Sequence, residues 1–310
     1  MKAIQIHQYG GAEELKWEDA PMPEIQADEV LVKVYATGVN PVDWKVREGY
    51  LAKSIERSFP IILGWDVAGE VEKTGDAVTN FKQGDQVYAK PPLDRQGTYA
   101  EFVAVKAAEL SLKPKSVDFV TAAAIPLVGL TAWQGLFDQG QLKAGQKVLI
   151  QGAAGGVGTF AVQFAKWKGA FVIGTASKEN KQFLEGLGAD QVIDYHEENF
   201  EDRIKGVDVL FDTIGGETQK KLLNCMKPGG IVVSTVGISD AATVQARGLQ
   251  GKSYMAQAIS SQLQQIANLV DEGKIKVIIS KIYPLAEAAA AHKYGEEGHT
   301  QGKIVLKVAG

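Results

Sequence analysis

Cysteine is almost missing from this chain: Cys225 is the only one in 310 residues. That excludes a disulfide framework and any structural zinc site built from several thiolates. It sits in Leu222-Leu223-Asn224-Cys225-Met226, which reads as the end of a helix, where a lone cysteine is a small core residue. Histidine is nearly as scarce, and His7, His196, His292 and His299 form no ligand cluster in sequence. No stretch approaches the ~20 apolar residues of a membrane span, and the first residues alternate like a strand rather than forming a signal-type apolar run. A cytoplasmic chain without a membrane partner is expected. Strong charge of either sign is lacking too. The net charge is −4 and there is no long Lys/Arg run, so nucleic acid is not an expected partner.

What is present suits a globular protein with a sizeable core: 45 % apolar and 23 % charged residues. The length fits two domains, at roughly 100–200 residues each. The first third is β-rich. Residues 2–9 alternate, residues 29–36 are a β-branched run, and strand-like text at 67–71, 86–89 and 99–105 follows, with glycines between. Short strands at this spacing suggest a barrel-like or sandwich body. The middle changes period. Strands at 147–150, 171–173, 191–195, 207–212 and 231–236 alternate with helices at 157–168, 181–187 and 219–226. That alternation means βαβ units on a parallel sheet. A helix near 261–271, strand-like text at 276–282, a helix at 285–294 and a strand at 303–308 finish the chain.

The most informative segment is Gln151-Gly152-Ala153-Ala154-Gly155-Gly156-Val157-Gly158, between a strand and a helix of this alternation. Gly155 and Gly156 carry no Cβ, so the backbone, with that of Val157, can approach a pyrophosphate. Gly158 lets the helix pack on the strand, and the helix start offers free N–H groups to the anion. Against the G-x-G-x-x-G pattern, Ala153 stands where the first glycine would be. An NAD site carries an acid about 20 residues on, at the end of the second strand. Here that end reads Thr175-Ala176-Ser177-Lys178-Glu179. Ser177 and Lys178, with Tyr195 at the end of the third strand, suit a 2′-phosphate, so NADPH is the expected cofactor. The alternative is a solvated Lys178, with Glu179 holding an NAD ribose.

Several ordered segments carry a resemblance: Gly38-Val39-Asn40-Pro41-Val42-Asp43-Trp44-Lys45, Gly84-Asp85-Gln86-Val87, Gly97-Thr98-Tyr99-Ala100-Glu101-Phe102, Gly129-Leu130-Thr131-Ala132, the glycine loop, Lys227-Pro228-Gly229-Gly230 and Gly302-Lys303-Ile304-Val305-Leu306. Together they resemble the zinc-free quinone oxidoreductase branch of the medium-chain dehydrogenase/reductase superfamily, its zeta-crystallin-like and enone oxidoreductase-like members. The resemblance implies an α/β chain: a GroES-like β-rich catalytic domain over 1–125, a Rossmann doubly wound parallel-sheet domain that binds NADPH over 126–272, and a return to the catalytic domain over 273–310. It also implies an active cleft between the domains and homodimers. Zinc-dependent members carry a Cys ligand after the first Gly-Val and a Gly-His-Glu further on. Those slots hold Asn40 and Gly64-Trp65-Asp66 here, so thiolate and imidazole are both gone. Without a Lewis acid, deprotonating an alcohol is hard. Reducing an electron-poor quinone or enone needs less help.

The resemblance makes Lys45 the first candidate for the donor that faces the acceptor's oxygen. Asn40 either donates beside it or structures its own loop, and Asp43 orients Lys45 or the loop. Thr131, and Thr235, Val236 and Gly237 after the strand text at 231–233, are expected by the nicotinamide. Gly302 and Lys303 match a segment that returns to the cofactor. Tyr50, Trp65 and Trp133 either line a pocket for a flat acceptor or belong to the core. Two other functions stay open at this point: a zinc-independent reductase or dehydrogenase of unconjugated carbonyls, and a non-catalytic NADPH-binding sensor.

Overall fold

A computed structural model describes residues 1–55, 57–298 and 300–308, which leaves His299 outside the described residues. The chain divides into two compact units, one formed by residues 1–130 and 257–310 and the other by 131–256.

In the first unit the strand Glu29–Val39 organises a seven-stranded sheet. Its early residues pair antiparallel with Phe102–Lys106 on one side and with Val67–Thr74 on the other. Its last four residues pair with Lys303–Lys307, so the end of the chain returns to this sheet. Period-two alternation puts Val30, Val32 and Val34 into one interior with Val67, Val71, Val87, Val103 and Val105. Stiff β-branched side chains fill such a surface well.

The unit boundaries differ from the expected 125/126 and 272/273. The helix Ser260–Asp271 belongs with the first unit because its polar groups bond there. The Tyr88 hydroxyl donates 2.5 Å to the Leu263 carbonyl, and Asp271 accepts the N–H groups of Lys115 and Ser116.

The second unit is a six-stranded sheet in the order Gln191–Asp194, Phe171–Ala176, Lys147–Gln151, Val207–Asp212, Met226–Ser234, Gln250–Ser253, parallel throughout. Val148, Leu149 and Ile150 are all fully buried, as a strand covered on both faces requires. The helix Gly156–Trp167 buries Phe160, Val162 and Phe164. Cys225 follows the helix Gly216–Leu223 and is buried, and that burial pushes its thiol up to about 11. Among the described residues no helix is long and apolar enough to cross a membrane.

Candidate active site

In the second unit the expected cofactor residues gather at the carboxyl edge of the parallel sheet, where open α/β sheets bind ligands. Gly155, Gly156 and Val157 follow the strand Lys147–Gln151. A Cβ on Gly158 would lie 2.2 Å from the Gly152 carbonyl oxygen and 2.6 Å from backbone atoms of Ala153, so no larger residue fits. Gly155 differs: a Cβ there would meet only the Gly152 oxygen, at 3.5 Å, which leaves open space over the helix start. Among the described residues no side chain caps that helix, so its first N–H groups remain for an anion. Beside the loop, Gln151 is 2 % exposed and neither end of its side-chain amide has a hydrogen-bond partner among the described residues. Such burial costs about 1–3 kcal/mol unless something pairs with it. A bare anion-binding turn, an open glycine and an unpaired amide fit a dinucleotide.

The pairing of Ala176 with Asp194 brings the ends of the second and third strands together. Ser177, Lys178 and Tyr195 therefore share one rim, with Lys178 and Tyr195 exposed. Ser177 accepts from Asn180 Nδ2 at 2.9 Å. The Glu179 carboxyl is held below its usual range by its own backbone N–H and by the Ser177 hydroxyl. Asp194 accepts both the backbone N–H and Nδ1 of His196, and the backbone N–H first of all holds its carboxyl low.

Across the sheet, Asp212 organises the other half of the rim. It is fully buried and takes four hydrogen bonds: Ile214 N–H and Gly215 N–H on Oδ1, Gln219 Nε2 and Ser234 Oγ on Oδ2. Ser234 Oγ in turn accepts the Val236 N–H, and Gln219 Nε2 also reaches the Gly237 carbonyl at 2.9 Å. One carboxylate thus shapes the Thr235–Val236–Gly237 turn. Thr131 lies in the same unit and its carbonyl accepts from Tyr254 Oη at 2.5 Å. Asp212 and Gln151 went unmarked in the sequence. The signal for Asp212 was an acid closing an apolar strand, Val-Asp-Val-Leu-Phe-Asp.

In the first unit a buried polar cluster forms where Glu29–Val39 ends. Asn40 precedes the helix Pro41–Arg47, with Pro41 at the first helical position, where its missing N–H costs nothing. The antiparallel register that sets Ile304 against Val39 brings Lys303 beside Asn40. Lys303 Nζ donates to Val39 O (2.8 Å), Asn40 Oδ1 (2.5 Å) and Asp66 Oδ2 (3.2 Å). Asn40 Nδ2 donates 2.8 Å to the same Asp66 oxygen, and the other Asp66 oxygen accepts the Leu127 N–H. Gly38 makes room for this, since a Cβ there would lie 2.4 Å from Asp66 Oδ2. Asn40 and Asp66 are fully buried and Lys303 is 3 % exposed.

These contacts define what the expected residues can do. All three Lys303 ammonium hydrogens are committed within the protein, so as placed none is left for a cofactor. Gly302 has φ +78°, and its Cβ would lie 2.3 Å from the Ile278 oxygen, so it serves the backbone there. The Asn40 amide is tied at both ends, to Lys303 Nζ and to Asp66 Oδ2. Lys45 is different: it is exposed, and its ammonium has no partner among the described residues. Trp65 is fully buried and Trp133 packs against Phe137, Phe164 and Trp167, so both are core, while Tyr50 is exposed.

Two family models match: an alcohol dehydrogenase GroES-like domain over residues 26–115 and a zinc-binding dehydrogenase over residues 187–306. The NADPH-dependent alkenal/one oxidoreductase of Arabidopsis thaliana (chloroplastic) is 38 % identical, over 99 % of this chain and 79 % of that one. The solved quinone oxidoreductase of Coxiella burnetii is 39 % identical with a TM-score of 0.94, covering 99 % of each chain. The Escherichia coli quinone oxidoreductase complexed with NADPH is 31 % identical with a TM-score of 0.89, over 99 % of this chain and 100 % of that one. The chain belongs to the zinc-free quinone oxidoreductase branch of the medium-chain dehydrogenase/reductase superfamily. It is an oxidoreductase of that branch.

Despite the description of the second family model, the residues here do not fit a zinc ion. A zinc site wants thiolate, imidazole or free carboxylate donors. In the two slots stand an amide and a carboxylate whose oxygens already bind a buried ammonium. A divalent cation there would face like charge at hydrogen-bond range.

Proposed function

We propose that this protein uses NADPH to reduce a small conjugated acceptor, a quinone or an α,β-unsaturated carbonyl compound, without a metal. The observation that carries the reading is the Asn40–Asp66–Lys303 cluster, which closes the zinc slots with a fully hydrogen-bonded ion pair. Alcohol oxidation would need a Lewis acid at that place. An electron-poor acceptor needs only a donor for the charge that develops on its oxygen. Lys45, exposed and without a partner among the described residues, supplies that donor.

The cofactor residues have separate tasks. The first N–H groups of the helix Gly156–Trp167 hold the pyrophosphate, and Gly155 lets it come close. Ser177, Lys178 and Tyr195 take the 2′-phosphate, with the Lys178 ammonium supplying charge. Thr131, Thr235, Val236 and Gly237 orient the nicotinamide. Bound in this way, the reduced nicotinamide supplies the hydride. The names of the Arabidopsis relative and of the Escherichia coli complex both point to NADPH.

Steady-state oxidation of NADPH and NADH against one naphthoquinone and one enone tests the reading. Turnover with NADPH is expected, and Lys178→Ala should raise its KM about tenfold while leaving NADH nearly unaffected. Lys45→Ala should lower kcat with the enone about 100-fold. No oxidation of NADPH by either acceptor class would end the proposal.

A further inference from the structure

Next to the Lys303 cluster runs a second buried network that none of these roles uses. Arg47, in the last turn of the helix Pro41–Arg47, is fully buried, and its Nη1 lies 3.0 Å from Nδ1 of His292, on the helix Ala288–Glu296. His292 Nε2 lies 3.1 Å from the Tyr99 hydroxyl, which lies 2.7 Å from Asp43 Oδ2. Asp43 Oδ2 also accepts the Asn40 N–H at 2.7 Å. All four residues are fully buried.

The chemistry of the ends fixes the direction of the whole chain. A guanidinium can only donate, so His292 Nδ1 must accept and its proton must sit on Nε2. The Nε2–H then donates to the Tyr99 oxygen, and the Tyr99 O–H is left to donate to Asp43. Burial, and then the Arg47 charge, push His292 down to about 3, which keeps it neutral as this arrangement requires. Burial and the neighbouring Asp43 carboxylate hold the Tyr99 hydroxyl well above its usual range, so it keeps its proton. Arg47 is itself anchored, by Nε to the Gly10 carbonyl and by Nη2 to Glu48 and Glu296. Asp43 Oδ1 is buried with no partner among the described residues.

We propose that Arg47, His292 and Tyr99 are positioning residues, a one-way hydrogen-bond relay that makes Asp43 Oδ2 an obligatory acceptor and confines any proton on Asp43 to Oδ1. Through Oδ2 the relay holds the Asn40 N–H, and with it the start of the helix that carries Lys45. Its bearing on catalysis rests on the reading of Lys45 above. The charged and titratable groups around Asp43 come from every neighbouring element: Tyr99, Lys303, Asp66, and Arg47 with His292 behind Tyr99. Burial pushes the Asp43 carboxyl up to about 7, against the lowering effect of the Tyr99 hydroxyl, the Asn40 N–H and Lys303. Removing one donor from a carboxylate raises its pKa further.

The test follows the Asp43 carboxyl by 13C NMR of aspartate-labelled protein across pH 5–9, with its resonance assigned by loss in Asp43→Asn. Tyr99→Phe should move the midpoint up by about a unit. His292→Phe, which keeps the Tyr99 O–H but leaves its oxygen free to accept from a protonated Asp43 instead, should move it up by less, whereas His292→Gln, which can accept from Arg47 and donate to Tyr99, should keep the midpoint of the parent. The pH profile of kcat/KM for acceptor reduction should move with these midpoints. Equal titration in the parent and Tyr99→Phe overturns the relay, and so does equal titration of the two His292 variants. Should Tyr99→Phe fail to fold, the His292 pair decides. Should the parent reduce no acceptor, the functional reading falls while the NMR result still judges the relay.

Discussion

The residues at the rim of the second unit stand within a few places of the end of their own strand, in loops or at a helix start, and they need only backbone geometry and local side chains. In the first unit Asn40, Asp66 and Lys303 converge from positions 26, 237 and 263 apart, and they are useful only as a closed set. The difference is between a site assembled by strand ends and one assembled by long-range burial. Damage to the first should read as weaker binding with the fold intact. Damage to the second should read as lost stability before any loss of function.

The sharpest way to break this comparison is Lys303→Met. It leaves Asp66 as a buried carboxylate without its counter-ion, and removing one member of such a pair costs about 3–5 kcal/mol. Urea denaturation should show that loss, and adding Asp66→Asn should recover part of it, since the leftover charge is then gone. A single variant as stable as the parent would mean that Asp66 finds another partner or takes up a proton at little cost.

A smaller effect is expected from the glycine loop, and it splits in two. Gly158→Ala forces a methyl against the backbone of Gly152 and Ala153, an overpacking cost of about 1–3 kcal/mol. Gly155→Ala meets only one atom, at 3.5 Å, so stability should hold while NADPH affinity falls about tenfold, because the methyl stands where the backbone approaches the pyrophosphate. Calorimetry and thermal melts on both variants separate the outcomes. Equal effects of the two on stability would contradict the difference in local space.

Legibility in the sequence follows the same division. The parallel sheet, the glycine turn and the Ser177–Lys178–Tyr195 rim were readable because each depends on residues close in sequence. The place of Asn40 was readable, but not its occupation: that Lys303 would spend all its hydrogens on Val39, Asn40 and Asp66 depends on the register of the last strand against Glu29–Val39. The partners of Asp43 were less accessible still. Tyr99 stood in a recognised segment without a role, and His292 is 245 positions from Arg47. The boundary near residue 257 was missed because the helix Ser260–Asp271 has the same period whichever unit it packs on.

The finest test of the first unit is its pH dependence, where two buried groups oppose each other. Asp43 is raised from its ordinary 3.8 to about 7, so between those values the folded chain holds a proton that the unfolded chain has released. Its contribution to stability therefore falls as pH rises through that window. His292 is lowered from 6.5 to about 3, so between those values the unfolded chain holds a proton that the folded chain does not, and its contribution rises with pH. Each slope is about 1.4 kcal/mol per pH unit, and from pH 4 to 6.5 they cancel. The parent's urea midpoint should change little with pH on account of this pair over that range. His292→Gln removes the rising slope and should lose stability relative to the parent as pH increases, while Asp43→Asn removes the falling one and should gain. If both variants simply run parallel to the parent from pH 4 to 6.5, the two groups do not carry the protonation states that the relay assigns to them.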